Sequence, residues 1–188
     1  MSRICSVLAL LSVCFVQSAA AENPALDVSF NADAFRLDFR SPAFSRAAVD
    51  ISWLHNQDDG DVIGFGLFRT GLASPGSNPV KAGLGAKLVY GDPDKGGSNG
   101  GAFALGGYFR WVFPQYNRIG IGGELYYAPG VFSFSDTDSY EEESLYVSYD
   151  IMKDAWVYLG VRHVKMRFED DPSVTFDTGL HLGVRLSF

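Results

Sequence analysis

Hydrophobic and polar positions alternate with a period of two along most of the chain after residue 21, in segments separated by turn-forming residues. The alternation is clearest at the C-terminus, where His181, Gly183 and Arg185 share one face. The other face of that segment consists of Leu180, Leu182, Val184, Leu186 and Phe188. A last strand that finishes on an aromatic residue resembles the signal by which outer-membrane barrels are recognised by their assembly machinery. We therefore predict that these five residues form an assembly signal.

The same period predicts ten strands. They span residues 25–30, 34–40, 46–55, 61–71, 79–90, 101–113, 118–128, 140–151, 155–166 and 175–188. The apolar phase changes between Phe30 and Phe35, so residues 31–33 are predicted to turn a short hairpin. An even number of strands of about ten residues is typical of bacterial membrane barrels. We expect an all-β fold, a closed antiparallel transmembrane β-barrel of ten strands, with eight strands as the alternative if the first hairpin does not pair.

The connections between these strands fall into two sets. One set is 41–45, 72–78, 114–117 and 152–154, and the other is 31–33, 56–60, 91–100, 129–139 and 167–174. Most members of the second set are longer, and that set and its flanks carry most of the acidic residues. Short periplasmic turns and longer extracellular loops are the outer-membrane pattern. The pattern predicts acidic extracellular loops and places both termini in the periplasm.

Aromatic residues cluster near the predicted strand ends. They are Trp53, Tyr90, Trp111, Phe113, Tyr127, Tyr149 and Phe188. Amphipathic rings favour the membrane–water interface, and membrane barrels carry aromatic girdles at both interfaces. Packing in an ordinary core is the alternative explanation, which the loop pattern disfavours.

The first residues have the features of a secretory signal peptide. Arg3 is followed by an apolar run over 4–16 and then by small residues up to Ala21. The run is too short to span a bilayer as a helix. We predict a leader over 1–21, cleaved after Ala21, and one barrel domain over 22–188 in the outer membrane of a Gram-negative bacterium. Cleavage before Cys14 as a lipoprotein is disfavoured because Val13 is bulky.

Composition restricts the chemistry further. Both cysteines, Cys5 and Cys14, lie in the leader, so the mature chain has neither a disulfide nor a thiolate metal site. Loss of Arg3 with the leader changes the formal charge from −7 to −8, and an acidic chain is a poor partner for nucleic acid. The chain has 21 Gly, 15 Phe and 9 Tyr, and its mean hydropathy of +0.04 also favours strands over helices.

The inward face is predicted to be polar and charged. The lumen charge network is expected to comprise Asp50, Lys81, Lys87, Arg110, Glu124, Asp150, Arg162 and Arg185, alongside Asp38 and His181. Opposite charges should pair there, because an unpaired buried charge is costly. Two hypotheses follow, a salt-bridged plug and a narrow water-filled pore. A barrel of about this size is filled by side chains, which favours the plug. Glycines on the same face leave room for aromatic neighbours or for water.

Two acidic segments are candidate cation sites. Asp58, Asp59 and Asp61 surround Gly60, but the pattern of an EF-hand is absent, so a solvated turn is favoured. Residues 141–143 are three glutamates, which we interpret as the solvated start of a strand. Weak divalent-cation binding at the lipopolysaccharide surface is the hypothesis for these loops. No cofactor is expected.

Enzymatic function has little support. No G-x-S-x-G motif occurs, and no spacing nominates a nucleophile. His163 shares the phase of the lipid-facing residues, where the base of a lipid-modifying barrel enzyme would lie. We expect a non-enzymatic, porin-like or plugged structural barrel. The alternatives are a surface-interaction barrel that uses its acidic loops and a soluble lipocalin-like periplasmic barrel.

Several motifs also resemble a known family. The segment 53–67, WLHNQDDGDVIGFGL, is similar to the W-x-H-N-x-D-D-G-D-V-x-G-x-G-L stretch of the YfaZ family of outer-membrane proteins. Residues 123–129, GELYYAP, resemble its G-E-x-Y-Y-x-P segment, and residues 183–188 fit its C-terminus. The acidic segment around 136–143 has no match. The resemblance implies an outer-membrane location and a porin-like role, and it brings no catalytic or ligand-binding residues.

Overall fold

A computed structural model of the protein describes residues 23–44, 47–72, 80–94, 98–169 and 173–188. The predicted leader, its cleavage site and the Cys14 alternative lie outside the described residues. So do Asp170 and Asp171 of one acidic loop and residues 73–79 of another connection.

Eleven strands occur in the described parts of the chain. They are β1 (Ala25–Phe30), β2 (Ala34–Phe44), β3 (Ala47–Asn56), β4 (Gly60–Leu72), β5 (Lys81–Asp92), β6 (Gly100–Val112), β7 (Ile119–Ala128), β8 (Ser133–Ser135), β9 (Thr137–Met152), β10 (Ala155–Phe168) and β11 (Val174–Ser187). The predicted strands agree with ten of these to within a few residues. Only the three-residue β8 was not predicted.

Ten strands form a closed ring. Each of them pairs antiparallel with its neighbours in the order β1 to β7, then β9, β10 and β11. The ring closes where β1 pairs with β11, with Ala25 opposite Ser187. Strand β8 lies outside the ring and pairs with the start of β6, with Ser135 opposite Gly100. The ten-stranded prediction is confirmed, and the eight-stranded alternative is wrong because the hairpin β1–β2 pairs throughout its length.

The barrel has two distinct ends. At the termini end, β1 begins and β11 ends, together with the connections 45–46, 73–80, 113–118 and 153–154. At the loop end lie the connections 31–33, 57–59, 93–99, 129–136 and 169–173. The difference in length between the two sets is smaller than predicted, because 73–80 is as long as the longer connections of the loop end. The separation of charge does hold, since acidic residues occur in every loop-end connection and, among the termini-end ones, only at Asp154.

The outer wall is a belt of exposed apolar side chains. Every second residue of the spanning strands points outward, and Leu67, Leu84, Leu145 and Leu180 are each more than half exposed. Trp53, Tyr90 and Tyr127 lie toward the loop end of this belt, whereas Trp111, Tyr149 and Phe188 lie toward the termini end. The five residues of the predicted assembly signal all point outward. A soluble barrel buries its apolar face inside, so the lipocalin-like alternative does not describe this wall.

Local irregularities account for the remaining differences from the predicted pattern. A bulge opposite Val164 and Lys165 inserts one residue into β11, so that Phe176 and Asp177 both point inward. A 3-10 turn over Gly130–Phe132 precedes β8. Gly60 has a φ of +103° at the start of β4, a conformation that few other residues adopt.

The described residues contain no helix long and apolar enough to cross a membrane.

Candidate functional site in the barrel lumen

The loop half of the lumen is filled by an apolar cluster, which we call the apolar plug. It comprises Ala34, Leu54, Val62, Phe68, Val89, Ala102, Ala104, Tyr126, Ala128, Tyr140, Val164, Met166, Phe168, Val174 and Phe176. All but Phe68 come from the loop-end halves of their strands. These side chains are between 0 and 7 % exposed. A continuous water channel would wet its wall, so this half of the lumen is closed in the described state.

A charged layer lies beneath the apolar plug, with Glu142 of β9 at its centre. Lys87 of β5 places its Nζ 2.8 Å from Glu142 Oε2, and Arg36 of β2 places its Nη1 2.7 Å from Oε1. The Tyr140 hydroxyl donates to the same carboxylate at 2.7 Å. Because β2, β5 and β9 are not adjacent in the ring, these bonds cross the lumen. Glu142 is 1 % exposed, so its desolvated charge is compensated by two cations.

Arg36 and Arg40 connect this carboxylate to the rest of the layer. Arg36 donates through Nε and Nη2 to the two carboxylate oxygens of Asp38, at 2.8 and 2.9 Å. Arg40 donates through Nε to Asp50 at 3.2 Å, and its guanidinium lies 4.0 Å from the ring centre of Tyr108. Glu124 lies 3.8 Å from Arg36 and 3.7 Å from Arg40. The layer is therefore a network and not a set of separate pairs.

A second group of polar side chains joins β1, β10 and β11. Arg162 donates to Asp177 at 2.5 Å and to the Ser29 hydroxyl at 2.8 Å. Asn31 of the first loop donates to the same aspartate at 2.6 Å. The bulge in β11 keeps Asp177 inward while adding Phe176 to the apolar plug. One irregularity thus serves both the charged and the apolar layers.

Aromatic rings lie directly over inward glycines of the wall. A Cβ on Gly183 would lie 2.2 Å from Tyr158 Cζ, one on Gly83 2.3 Å from the Tyr108 ring, and one on Gly122 2.4 Å from the Tyr146 ring. Real Cβ atoms do not approach so closely. Aromatic rings therefore fill the space beside these three glycines. The sequence analysis had offered aromatic neighbours and water as the two ways to fill it.

The termini half of the lumen opens into a cavity of about 190 Å³, which we call the vestibule. Arg110 and Arg185 lie over Trp156 here, with guanidinium carbons 4.5 and 5.7 Å from the ring centre. Arg110 is paired with Asp150 and lies 3.3 Å from the Ser148 hydroxyl. The vestibule shares Arg40, Arg185 and Tyr146 with a deeper space of about 30 Å³ in the charged layer. Since a water needs roughly 10–15 Å³ of such space, the deeper one has room for about two waters.

The predicted lumen residues all line the interior or its mouth. Arg110 and Asp150 pair with each other, and Lys81 is exposed at the mouth of the vestibule. Asp50, Lys87, Glu124, Arg162 and Arg185 instead pair with residues outside the predicted set. Those partners are Asp27, Arg36, Arg40, Glu142 and Asp177. Arg36, Arg40 and Asp27 share the inward phase of Asp38 and Ser29, so alternation alone would have identified them.

The interpretation of the glutamate run is wrong at its central position. Glu141 and Glu143 face outward at the loop end, but Glu142 is buried in the charged layer. Outside the barrel, Arg167 lies 3.2 Å from Glu141. His163, the hypothetical lipid-facing base, lies 3.3 Å from the Thr178 hydroxyl and 3.9 Å from Glu141.

The aspartate turn does not assemble a cation site. Asp61 points outward and accepts hydrogen bonds from Trp53 Nε1 at 2.8 Å and from the His55 ring at 3.0 Å. The backbone amides of Asp58 and Asp59 are instead bound by the Asn56 side chain. Across the described residues, no three His, Cys, Asp or Glu side chains come together as metal ligands. The Asn56 side-chain oxygen thus caps the backbone amides of this turn, and the preference for a solvated turn over a cation site stays a prediction.

Comparison with known proteins identifies a family, a relative and solved structures that this chain resembles. A family model described as YfaZ precursor matches residues 1–188. Outer membrane protein YfaZ of Escherichia coli (strain K12) is 38% identical over 144 residues, which cover 75% of this chain and 74% of that protein. Two solved structures, described as KdgM porin and as KdgM porin in complex with disordered oligogalacturonate, are each 16% identical. They give TM-scores of 0.43 and 0.44, and each match covers 88% of this chain and 99% of the solved one.

Proposed function

The chain belongs to the YfaZ family and is an integral outer-membrane barrel, and from that premise we propose that its resting state is closed to solutes. The observation that carries this proposal is the apolar plug, whose lumen-facing side chains are between 0 and 7 % exposed. In this state the protein is a structural barrel with a blind vestibule. We further propose that the termini end faces the periplasm and that the acidic loop end faces outward, next to lipopolysaccharide.

The charged layer reinforces the closure. Cross-lumen bonds from Lys87 and Arg36 to Glu142 tie three non-adjacent strands together beneath the apolar plug. A hydrated ion that passed this level would have to displace charge-assisted hydrogen bonds inside a wall of low dielectric. Two barriers of different chemistry therefore lie in series, which supports a plugged barrel over a permanently open pore.

A gated pore is the second candidate, and the vestibule favours it. The termini half of the lumen already holds a cavity of about 190 Å³ lined by charged side chains. A rearrangement confined to the loop half would extend that cavity through the barrel. Removal of the apolar plug then becomes the step that separates the closed state from a conducting one.

Planar-bilayer recording of the refolded protein tests the proposal. Folding is first verified by heat-modifiable migration on a gel, so that an absence of current refers to an intact barrel. A closed barrel gives no unitary conductance over a range of applied voltages. Steady open channels in the unmodified protein would overturn it, whereas openings that occur only above a threshold voltage would support the gated pore.

We propose no catalytic role. His163 lies beside Thr178 and Glu141 on the exposed outer wall. Phospholipase and acyltransferase assays on His163→Ala and on the unmodified protein test this directly. Activity that the substitution abolishes would contradict the proposal.

A further inference from the structure

We infer that the vestibule is a binding site for a small oxyanion, a carboxylate or a phosphate group, that enters from the termini end. The inference rests on the charge of this cavity, on the arrangement of its arginines and on its size. It does not depend on whether the apolar plug opens, because the vestibule lies entirely in the termini half.

Charge is the first argument. Five cationic side chains line the vestibule, namely Arg40, Lys81, Arg110, Lys153 and Arg185. Two acidic side chains, Asp150 and Asp154, line it as well, so the lining side chains carry a formal charge of +3, five minus two. Arg40 and Arg185 also pair with Asp50 and Asp27, which lie outside this lining. The chain as a whole has a formal charge of −7. A concentration of positive charge in a concave site of an acidic protein attracts and retains anions.

The arrangement of the arginines is the second argument. Arg110 and Arg185 both lie over Trp156, at 4.5 and 5.7 Å from its centre, and the ring holds their guanidinium groups in place. Arg185 lies 4.0 Å from Asp27, a looser pairing than those of the charged layer. Planar guanidinium groups fixed in this way suit the two-oxygen edge of a carboxylate or phosphate.

Size limits the ligand. The vestibule volume of about 190 Å³ is smaller than the roughly 300–1,000 Å³ of pockets that enclose drug-sized molecules. The deeper space, with room for about two waters, adds little. A small carboxylate, or the phosphate end of a larger molecule, fits these limits.

Fluorescence of Trp156 offers a direct measurement. Trp53→Phe and Trp111→Phe together leave Trp156 as the single tryptophan. The refolded protein is titrated with sodium succinate, with sodium phosphate and with uncharged succinamide at constant ionic strength. We expect a saturable change with at least one anion and none with succinamide. Response to succinate alone assigns the carboxylate class, and response to phosphate alone assigns the phosphate class. No saturable change with either anion, or an equal response to succinamide, would overturn the inference.

Substitutions locate the site. The double variant Arg110→Gln with Arg185→Gln should weaken anion binding at least tenfold. Arg167→Gln is the matched control, because this arginine lies on the outer wall at the loop end. The affinity of this variant for the anion should be unchanged. Lys81→Gln with Lys153→Gln changes two exposed residues at the mouth and should weaken binding two- to fivefold in a folded barrel. Unchanged affinity in this second double variant would overturn the inference even if the arginine variant fails to fold.

Discussion

Lys87 and Glu142 join β5 to β9 across the lumen, with the lysine Nζ 2.8 Å from one carboxylate oxygen and 3.1 Å from the other. The lysine is 3 % exposed and the glutamate 1 %. Neither charge would be stable alone in this position, since each depends on the other for compensation. The pair thus couples the closure of the lumen to the stability of the barrel.

Replacement of the glutamate should expose this dependence. Glu142→Gln leaves the Lys87 and Arg36 cations without their shared carboxylate, which should lower the free energy of unfolding by about 3–5 kcal/mol. Urea titration of the protein in lipid vesicles measures the change. Glu143→Gln is the matched control, because the neighbouring side chain is exposed on the outer wall, and it should cost less than about 0.5 kcal/mol. Equal effects of the two substitutions would contradict the assigned role of Glu142.

The alternation of the chain was sufficient to predict the wall of the barrel. Leu145, Val147 and Tyr149 mark the outward phase of β9, and the same phase extended upstream places Glu142 inward. The glutamate was missed because its two neighbours are also charged, so no contrast of polarity marks the face. Lys87 was predicted correctly because apolar residues flank it on β5.

The pairing of the charges could not be predicted in the same way. Arg36 meets Glu142 from a strand that is four positions away in the ring. The stagger of the strands around the barrel decides which residues of distant strands lie at the same level along its axis. The alternation within each strand does not reveal that stagger. The apolar plug was missed for a related reason. Val89 lies in a strand half where apolar side chains occur on both faces, and at Phe176 the bulge reverses the phase. Met166 alternates with the charged Lys165 and Arg167, so alternation alone would have identified it.

The contact between the Tyr158 ring and Gly183 leads to a second prediction about stability. In Gly183→Ala the new Cβ would lie 2.2–2.5 Å from two ring carbons and the hydroxyl oxygen of Tyr158, whose side chain is buried in the lumen. We expect a loss of about 1–3 kcal/mol in stability from the forced displacement. Gly71→Ala is the matched control, because nothing lies within 4 Å of a Cβ there, and it should be neutral or slightly stabilising. Urea midpoints of the two variants check the difference, and a Gly183→Ala midpoint equal to that of the unmodified protein would refute it.

Phe188 tests the predicted assembly signal. Its side chain is 59% exposed on the outer wall, and its backbone amide donates to the Pro24 carbonyl at 2.9 Å. Phe188→Ala removes the ring but keeps that backbone hydrogen bond, so the variant should fold in detergent like the unmodified protein. In cells the same variant should give several-fold less folded barrel in the outer membrane, because its recognition by the assembly machinery is impaired. Phe44→Ala removes a ring from the same end that is even more exposed, at 73%, and this variant should accumulate normally. Equal cellular amounts of the two variants would remove Phe188 from the signal.

The last prediction concerns the apolar plug. Met166 and Phe176 are fully buried at its centre, where both lie close to the Gly91 backbone of the opposite wall. Met166→Ala with Phe176→Ala should cost about 2–5 kcal/mol per substitution and open a cavity beneath the loop end. The apolar barrier above the charged layer would then be weakened, so brief or small unitary currents should appear in planar bilayers where the unmodified protein shows none.

A control for that experiment keeps the loss of apolar volume but moves it to the outer wall. Leu180→Ala with Leu182→Ala shortens two lipid-facing side chains of β11 and should leave the bilayer silent. Currents in both double variants would indicate a loosened barrel and not an opened lumen. Silence in the Met166 and Phe176 variant, with folding verified by heat-modifiable migration, would show that these two side chains are not required for closure, because the other members of the apolar plug and the charged layer of Arg36, Lys87 and Glu142 then keep the lumen closed.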